Sequence, residues 1–437
     1  MTAASPAVRR GLPLAGRFVP PGDKSITHRA VLFGLMAGGV SRVHRPNPGE
    51  DCVASLHAAA ALGAEVAREG AEWSITGRPD SLLPPAEPLD CGNSGTTMRL
   101  LAGLLAGRGT PATLVGDASL SRRPMARILE PLARMGARIE AAEGGRPPLV
   151  LAGGGLHGIT YDAPVASAQV ATCLLLAGLG AVGTTCVRLP GPARDHTERM
   201  LPAYGVELDV RPHGAGREIT VPGGQRLRAR DVVVPGDASA AAFFLAAAAA
   251  EPGARVTAEH MNVNPTRTGF LDVLEAMGAG VERANLRDEA GEPVADVTVT
   301  GPDALRAFDV PPEWVPRLVD EVPAWIVVAT AASGTSRVSG ASELRVKESD
   351  RIRSLAANLA SAGADVRELP DGLEVAGGPV RGARIEAHLD HRIVMAFAAL
   401  GARTREPMTF DDVSSVATSY PGFFETLAGL GAGVEGR

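Results

Sequence analysis

A short pattern recurs six times along the chain and constrains the fold more than any other feature. In each copy an amphipathic helical stretch ends at a glycine, and residues of alternating polarity follow. The glycines, spaced 68 to 85 residues apart, are Gly63, Gly136, Gly205, Gly278, Gly363 and Gly431. Glycine just past a helix supplies a left-handed cap, and the alternation after it predicts a strand. A period of about 70 residues leaves room in each unit for a second helix and further strands.

The spacing predicts two globular halves of three units each. Solenoid repeats usually have shorter periods, and a chain of 437 residues is too long for one ordinary core. The third unit ends near Val234, just before the segment VPGDASAAAFFLAAAA, which predicts a new helix. The alternative is that such strings arise by chance in a chain rich in alanine and glycine, but their even spacing argues against chance.

Composition restricts the classes of function. The net charge of −6 argues against a nucleic-acid-binding surface, so cations that bind an anionic ligand must be gathered locally. The four cysteines are scattered and are expected to be buried thiols rather than metal ligands or disulfides. The longest apolar run, Ala240 to Ala250, is too short for a membrane span, and the N-terminal segment lacks an apolar signal region. A cytoplasmic protein is therefore expected.

The segment PGDKSITHR is nearly a nucleotide P-loop but lacks the required glycine, because Asp23 precedes Lys24. The remaining interpretation is a helix that begins here, with Asp23 or Ser25 as its cap. Free N–H groups, Lys24, the Ser25 hydroxyl and Arg29 would then converge on an anion. The alternative is an ordinary capped helix with two solvated cations.

Three further segments of the first half repeat this design. Small polar residues, including Asn93, Gly95, Ser167 and Gln169, precede or begin apolar helices, and arginines follow each start at a short distance. The arginines are Arg122, Arg123 and Arg194. The helix predicted after Gly236 has the same small residues but no cation, so it is interpreted as structural.

The second half carries paired charges before apolar helices. Asp320 and Glu321 precede one of them, where capping is the simpler explanation. The charged residues of ELRVKESDRI and of DHRIVMAF precede two others. The combined inference is a site between the two halves, with Asp320 and Glu348 as candidate acid–base groups. Its cations are Lys24, Arg29, Arg123, Arg194, Lys347, Arg351 and Arg392. So many cations imply ligands with several negative charges, such as two phosphorylated carboxylates.

Nine segments resemble those of the 5-enolpyruvylshikimate-3-phosphate (EPSP) synthase family. They occur in the family's order from about residue 20 to residue 424, and they read PGDKSITHR, LDCGNSGTTMRLL, SRRPM, VASAQ, RDHTERML, LVDEVP, RVKESDRI, LDHRIVMAF and SYPGFF. The resemblance implies an α/β fold, a two-domain inside-out barrel with three βαβαββ units per domain. Residues 1–22 and 235–437 would form one domain and residues 23–234 the other, with the active site in the cleft between them.

The reaction implied by the resemblance transfers the enolpyruvyl group of phosphoenolpyruvate to the 5-hydroxyl of shikimate 3-phosphate. It belongs to aromatic amino acid and chorismate biosynthesis, releases phosphate through a tetrahedral intermediate, and uses no metal or cofactor. The resemblance implies that Asp320 accepts the hydroxyl proton and that Glu348, with Lys24 nearby, donates a proton to the methylene carbon. Acid–base groups of this kind must lie within hydrogen-bond reach of the proton that they move.

The motifs also assign substrate contacts by resemblance. The shikimate 3-phosphate contacts would be Lys24, Ser25, Arg29, Ser167, Ala168, Gln169, Arg194, Asp320 and Lys347. The phosphoenolpyruvate contacts would be Lys24, Asn93, Gly95, Arg123, Gln169, Lys347, Arg351, His391 and Arg392. No nucleic-acid or membrane partner is expected, and the protein is expected to act as a monomer.

The chain departs from the family pattern in two places. Thr418 and Ser419 precede the Tyr–Pro pair where some members have a lysine, so one phosphate contact is missing or replaced. Leu100 stands where the NSGTTMR helix usually has a proline. Gly95 leaves space beside the phosphoenolpyruvate site, which suggests that the competitor glyphosate binds there.

Two other functions fit parts of the pattern. UDP-N-acetylglucosamine enolpyruvyl transferase shares the fold and the phosphoenolpyruvate chemistry, but it typically has a reactive loop cysteine, which GDASLSRRPM lacks. A non-catalytic anion-binding repeat protein would not need Asp320 and Glu348 within complete motifs.

Overall fold

The computed structural model of the protein describes residues 6–436, which form two compact units. The inserted unit comprises Gly22–Val234 together with Asp288–Glu292. The terminal unit comprises the described residues up to Pro21, Pro235–Arg287, and the described residues from Pro293 onward. Residues 1–5 and 437, which the predicted domain boundaries include, lie outside the described residues.

The inserted unit differs from the predicted range 23–234 at two places. Gly22 belongs to it because its carbonyl accepts a hydrogen bond of 2.9 Å from the Asn47 side chain. The short segment Asp288–Glu292 belongs to it because Glu292 and His196 form a buried pair with 2.7 Å between Oε1 and Nδ1.

Twelve α-helices lie in residues 6–436, two in each of the six repeats. They are α1 (Lys24–Met36), α2 (Glu50–Ala61), α3 (Gly95–Arg108), α4 (Ala126–Arg134), α5 (Ala168–Gly180), α6 (His196–Met200), α7 (Ala238–Ala249), α8 (Gly269–Met277), α9 (Val322–Ala329), α10 (Arg351–Ser361), α11 (His391–Gly401) and α12 (Phe423–Gly429). Short 3₁₀ turns are Leu120–Arg122, Leu201–Tyr204, Val315–Arg317, Val319–Glu321, Ser342–Val346 and Ser414–Thr418.

Each repeat also has a set of four strands with one pairing pattern: the first two strands are parallel, and the third is antiparallel to the second. In the inserted unit the sets, in spatial order, are Val232–Val233, Val40–His44, Glu72–Thr76 and Glu65–Glu69; Leu89–Asp90, Ala112–Val115, Arg146–Leu151 and Ile139–Ala142; Thr160–Asp162, Thr184–Leu189, Gly216–Pro222 and Asp209–His213. Leu227–Arg228 pairs with Ala37–Gly38 as an additional short ladder.

The terminal unit repeats the pattern with strands from both ends of the chain. Its sets are Ala15–Phe18, Arg255–Asn262, Glu292–Thr300 and Gly280–Glu289; Asp309–Val310, Thr335–Val338, Gly372–Ala376 and Asp365–Leu369; Arg384–Ile385, Thr409–Phe410, Ala7–Arg9 and Gly433–Glu435. In the last set a single bridge between Val8 and Met408 joins the two strand pairs. Leu305–Arg306 and Ala332–Ser333 form a further short pair.

Within each unit the first helix of every repeat lies inside and the strands lie around it. Every residue of α7 and α9 is buried, and apart from Ser239 in the first turn of α7 both helices consist of apolar residues, as expected for helices without a solvent face. The strand Arg146–Leu151 alternates between exposed and buried residues, so only one of its faces packs inward. This order of layers is the predicted inside-out arrangement.

The six glycines behave as the repeat pattern predicts. Each follows a helix or a 3₁₀ turn, each has a positive φ between 81° and 120°, and each precedes the edge strand of its set. A side chain at these positions would strain the backbone, because L-residues rarely adopt this conformation. The prediction of six α/β units is therefore confirmed.

Two further expectations from composition concern the cysteines and membrane-spanning helices. All four cysteines are buried thiols, as predicted. Among the helices of residues 6–436, none has the length and apolar character that crossing a lipid bilayer requires.

Candidate active site

The inserted unit brings the starts of α1, α3 and α5 together. Each helix has a side-chain cap: Asp23 accepts from the Ile26 N–H at 3.0 Å, Ser94 from Thr97 at 3.1 Å, and Ser167 from Val170 at 3.4 Å. Of the two residues predicted to cap α1, Asp23 performs the role. Helix starts retain N–H groups without intrahelical partners and carry a partial positive charge, so they favour anions.

Arg29 provides a buried positive charge behind these starts. Its guanidinium donates to the hydroxyls of Thr197 and Thr172, both at 2.7 Å, and to the Ser25 carbonyl at 2.8 Å. Burial lowers the pKa of Arg29 to about 10, so the group is still protonated at neutral pH. Its hydrogen-bond partners among residues 6–436 are uncharged, so an anionic ligand group would stabilise this charge.

Lys24 and Arg194 lie at the edge of the same group. Lys24 Nζ lies 3.0 Å from Asp51 Oδ2, and both side chains are largely buried. Arg194 is half-buried in the loop before α6. Burial lowers the pKa of Arg29, and repulsion from the positive charge of Arg194 lowers it further. Thr197, in the first turn of α6, fixes the Arg29 guanidinium, so this loop and α1 are held together.

The start of α3 holds Asn93, Gly95 and Arg123 close together. Arg123 donates to Asn93 Oδ1, and Asn93 Nδ2 donates to Asp117 Oδ2 at 2.7 Å. A Cβ at Gly95 would lie 2.7 Å from Arg99 Nη1, so the Arg99 guanidinium would have to shift. Glycine therefore leaves room for the guanidinium that approaches this helix start.

Gln169 is fixed by two partners from α3. Arg99 Nη1 donates to Gln169 Oε1 at 2.8 Å, and Gln169 Nε2 donates to Thr96 Oγ1 at 2.8 Å. The side-chain amide is therefore held in one orientation. Arg99, four residues after Gly95 and so on the same face of the helix, was not singled out in the sequence. This four-residue spacing is the sequence feature from which the position of Arg99 could have been predicted.

The terminal unit has a second cluster, centred on Asp320. Asp320 lies in the turn Val319–Glu321, immediately before α9, and its Oδ1 is 3.6 Å from both Lys347 Nζ and Arg351 Nη1. Its backbone carbonyl accepts a hydrogen bond of 2.7 Å from Arg392. The carboxylate is 14% exposed, so it is shielded but accessible to a ligand.

Arg351 is the most buried cation of this cluster. Its Nε donates to Asp390 Oδ2 at 2.8 Å, its Nη2 donates to Glu348 Oε2, and the side chain is 1% exposed. Burial opposes protonation, but the charges of Asp390, Glu348 and Asp320 outweigh it and raise the pKa of Arg351 above its usual value. The guanidinium of Arg351 thus holds the carboxylates of Asp320, Glu348 and Asp390 close to one another.

Lys347, His391 and Arg392 complete the terminal-unit cluster. Lys347 Nζ lies 2.8 Å from Glu343 Oε1, and its side chain is 22% exposed. His391 and Arg392 form the first turn of α11, which Asp390 caps by accepting from the Arg392 N–H at 3.0 Å. Thr418, which stands where some family members have a lysine, is near the His391 ring, with 3.4 Å between Oγ1 and Nδ1. A hydroxyl therefore occupies that position.

The two clusters have complementary chemistry. The inserted-unit cluster offers cations, helix starts and neutral donors, a set suited to phosphate and carboxylate groups. The terminal-unit cluster offers cations together with two partly exposed carboxylates, Asp320 and Glu348, which can exchange protons. Among residues 6–436 no group of three or more histidines, cysteines or carboxylates has the geometry to hold a metal ion.

Comparison with known proteins agrees with this chemistry. The model of the EPSP synthase (3-phosphoshikimate 1-carboxyvinyltransferase) family matches residues 8–427. The 3-phosphoshikimate 1-carboxyvinyltransferase of Xanthomonas euvesicatoria is 49% identical over 430 residues, covering 98% of this chain and 97% of the relative. The enzyme of that name from Xanthomonas campestris is 49% identical over 432 residues, covering 98% of each chain. A solved EPSP synthase structure from Acinetobacter baumannii has a TM-score of 0.87 and 42% identity, covering 99% of each chain.

The chain belongs to the EPSP synthase family.

Family membership confirms the resemblance drawn from the nine segments and does not favour the UDP-N-acetylglucosamine enolpyruvyl transferase alternative. Within each unit the predicted residues lie close to one another. Besides Arg99, sequence reasoning missed Asp51 and Asp390, which hold Lys24 and Arg351. No local sequence pattern indicates the role of Asp51, because its partner Lys24 lies 27 residues earlier in the sequence.

The segment that begins α7 has no cation of its own, as its sequence shows. Arg267, from a distant part of the chain, nevertheless contacts this helix start. Its Nη2 donates to the helix cap Asp237 at 2.9 Å, and the guanidinium is 2% exposed. Nothing in the local sequence of α7 indicates this contact.

Proposed function

We propose that this chain transfers the enolpyruvyl group of phosphoenolpyruvate to the 5-hydroxyl of shikimate 3-phosphate, with release of phosphate. The observation that carries the proposal is the environment of Asp320: an accessible carboxylate 3.6 Å from two cations, in a chain of the EPSP synthase family. The product is 5-enolpyruvylshikimate 3-phosphate, an intermediate of aromatic amino acid biosynthesis.

The charges of the two clusters suit this pair of substrates. Each substrate carries one phosphate and one carboxylate, so the pair presents four anionic groups to the cations of the family motifs. Arg29, whose partners are hydroxyls and a carbonyl, suits the phosphate of shikimate 3-phosphate. Arg123 and Arg392 match the phosphoenolpyruvate positions of the family motifs. Arg123 lies at the start of α3 beside Asn93, and Arg392 donates to the Asp320 carbonyl.

The remaining contacts follow the family motifs. Ser25, Ser167, Ala168 and Arg194 contact shikimate 3-phosphate, while Asn93, Gly95, Arg351 and His391 contact phosphoenolpyruvate. Lys24, Gln169 and Lys347 contact both substrates. The fixed orientation of the Gln169 amide supports its role, because a preorganised group loses little freedom when the substrates bind.

The chemistry has two steps. Asp320 accepts the proton of the 5-hydroxyl as that oxygen forms a bond to C2 of phosphoenolpyruvate, and Glu348, assisted by Lys24, donates a proton to C3. The tetrahedral intermediate then returns a proton from C3 to Glu348 and expels phosphate, which restores the double bond. Lys347 and Arg351 stabilise the negative charge that accumulates, as fixed cations do in a site shielded from water.

Three finer properties belong to the same proposal. The protein acts as a monomer in the cytoplasm, and glyphosate competes with phosphoenolpyruvate at the Gly95 side of the site. The space at Gly95 supports this competition, because the neighbouring guanidinium groups of Arg99 and Arg123 approach the helix start without an intervening side chain.

The decisive experiment measures phosphate release from phosphoenolpyruvate with two acceptors in parallel. Release is expected with shikimate 3-phosphate and not with UDP-N-acetylglucosamine. Release only with the latter would overturn the proposal, and release with neither would favour a non-catalytic role. A Lys24→Met variant, which removes one proposed contact with both substrates, should abolish or strongly weaken both binding and turnover.

The glyphosate proposal has its own test. Inhibition should be competitive with phosphoenolpyruvate and should occur at glyphosate concentrations comparable to those of the substrate. Inhibition that requires concentrations far above the substrate would contradict the proposal without affecting the transfer reaction itself.

A further inference from the structure

A buried polar network lies in the terminal unit beside the Asp320 turn. It contains Asp237, Ser239, Arg267 and Glu321, all of them at most 5% exposed. The proposed chemistry gives these four residues no role, although Asp237 caps α7. Buried charges are costly unless they are paired and hydrogen-bonded, so a network of this kind requires an explanation.

The contacts form a chain that ends at the Asp320 turn. Arg267 Nη2 donates to Asp237 Oδ1 and to Ser239 Oγ, each at 2.9 Å. Ser239 Oγ in turn donates to Glu321 Oε1. The serine hydroxyl therefore accepts from the cation and donates to the carboxylate. This relay ties the start of α7 to the residue that follows Asp320.

The turn Val319–Glu321 is consequently held from two sides. Residues that are adjacent in a 3₁₀ turn point about 120° apart, so Asp320 and Glu321 cannot share one face. Asp320 faces Lys347 and Arg351, whereas Glu321 faces Ser239. Removal of the Glu321 carboxylate would therefore take away the Ser239 hydrogen bond that holds this side of the turn.

We propose that Ser239, Arg267 and Glu321 are positioning residues that orient the Asp320 carboxylate for proton transfer. The inference rests on the proposed function of Asp320 as the general base. The three residues act through the backbone of the turn and do not touch substrate. A displacement of the base by about 1 Å costs up to about 100-fold in rate, because the proton transfer needs near-ideal geometry.

The expected signature separates chemistry from binding. Arg29 and the other proposed shikimate 3-phosphate contacts of the inserted unit do not belong to the network, so affinity for that substrate should be nearly unaffected. Ser239→Ala and Glu321→Ala should lower kcat by about 10- to 100-fold, with a dissociation constant for shikimate 3-phosphate within about twofold of the wild type. Glu321→Gln should recover most of the loss, because its amide oxygen still accepts from Ser239.

A matched control is available in the same unit. Ser336 is fully buried, and its hydroxyl accepts a hydrogen bond of 3.2 Å from the Phe308 N–H, in a strand away from the Asp320 turn. Ser336→Ala also removes one buried hydroxyl and should reduce thermal stability, but kcat should not change.

The experiment combines steady-state kinetics with hydrogen–deuterium exchange of the peptide spanning Val319–Val322. Exchange should be faster in Ser239→Ala and Glu321→Ala than in the wild type, and unchanged in Ser336→Ala and Glu321→Gln. Unchanged exchange and wild-type kcat in Ser239→Ala would overturn the inference, as would a Glu321→Gln variant as slow as Glu321→Ala. If the wild type releases no phosphate, the proposed function fails, while the exchange data still decide whether the network orders the turn.

Discussion

Replacement of Arg351 by methionine should strongly destabilise the terminal unit. Methionine is unbranched and uncharged, so the change removes the guanidinium while it keeps the apolar stem of the side chain. The substitution removes bonds of 2.8 and 3.2 Å to the two carboxylate oxygens of Asp390, which is fully buried. The loss of one partner from a buried ion pair costs about 3–5 kcal/mol, because the remaining charge has no compensation.

A second substitution tests whether this cost comes from the isolated carboxylate. Asp390→Asn removes the charge but retains an oxygen that can cap α11, since asparagine is also a good helix cap. In the Arg351→Met background it should therefore recover about 1–3 kcal/mol, which is the usual size of coupling between contacting residues. Asp390→Asn alone should be milder than Arg351→Met, because Glu348 and Asp320 still neutralise Arg351.

The assay must report on one unit. Of the three tryptophans, Trp73 lies in the inserted unit, whereas Trp314 and Trp325 lie in the terminal unit. In a Trp73→Phe background, urea unfolding followed by tryptophan fluorescence therefore monitors the terminal unit. A loss below about 1 kcal/mol for Arg351→Met, or no recovery with Asp390→Asn, would refute the reasoning about the buried pair.

Three other perturbations test the site. Asp320→Ala should lower kcat by orders of magnitude while binding of shikimate 3-phosphate, measured by titration calorimetry, changes little. Gly95→Ala should displace Arg99 and break its bond to Gln169, which raises the KM for phosphoenolpyruvate and the glyphosate inhibition constant by about tenfold, the equivalent of one hydrogen bond to a charged group. Burial and the neighbouring cations lower the pKa of His28 well below 6.5, so the unfolded chain takes up a proton that the folded chain does not. The unfolding free energy should therefore fall below about pH 6.5 by up to about 1.4 kcal/mol per pH unit, and His28→Asn should remove this part of the slope.

Each of these three predictions would be contradicted by a specific experimental result. Wild-type turnover in Asp320→Ala would remove it as the base, and unchanged kinetic constants in Gly95→Ala would show that Arg99 moves without consequence. For His28, the asparagine amide can still bond Ser55, which lies 2.8 Å from the imidazole Nδ1. An identical acid slope in the variant, from chemical unfolding at a series of pH values, would assign the pH dependence to other groups.

The local features of this fold could be predicted because they depend on neighbours in sequence. A cap such as Asp23 acts three residues away, and a glycine such as Gly63 needs only the preceding helix to make its conformation favourable. The six repeats, their helix starts and the clustering of charged residues at those starts follow from such short-range rules. The division near Val234 follows from counting the repeats.

The partners of the buried charges could not be predicted in this way. Arg267 reaches Asp237 across 30 residues, and Arg29 reaches Thr172 across 143. These contacts depend on how the helices pack, and packing is decided by the shapes of many apolar side chains together. The same holds for the strand Ala7–Arg9, which pairs with the opposite end of the chain.

The repeat, the α/β class and the cationic character of the site could therefore be predicted from the chain, because each depends on local spacing and residue type. The pairing of each cation with its carboxylate, and the link from Glu321 through Ser239 to Arg267, became known from the folded molecule. A buried charge is stabilised by whichever partner packing brings next to it, and that partner can lie at any distance along the chain.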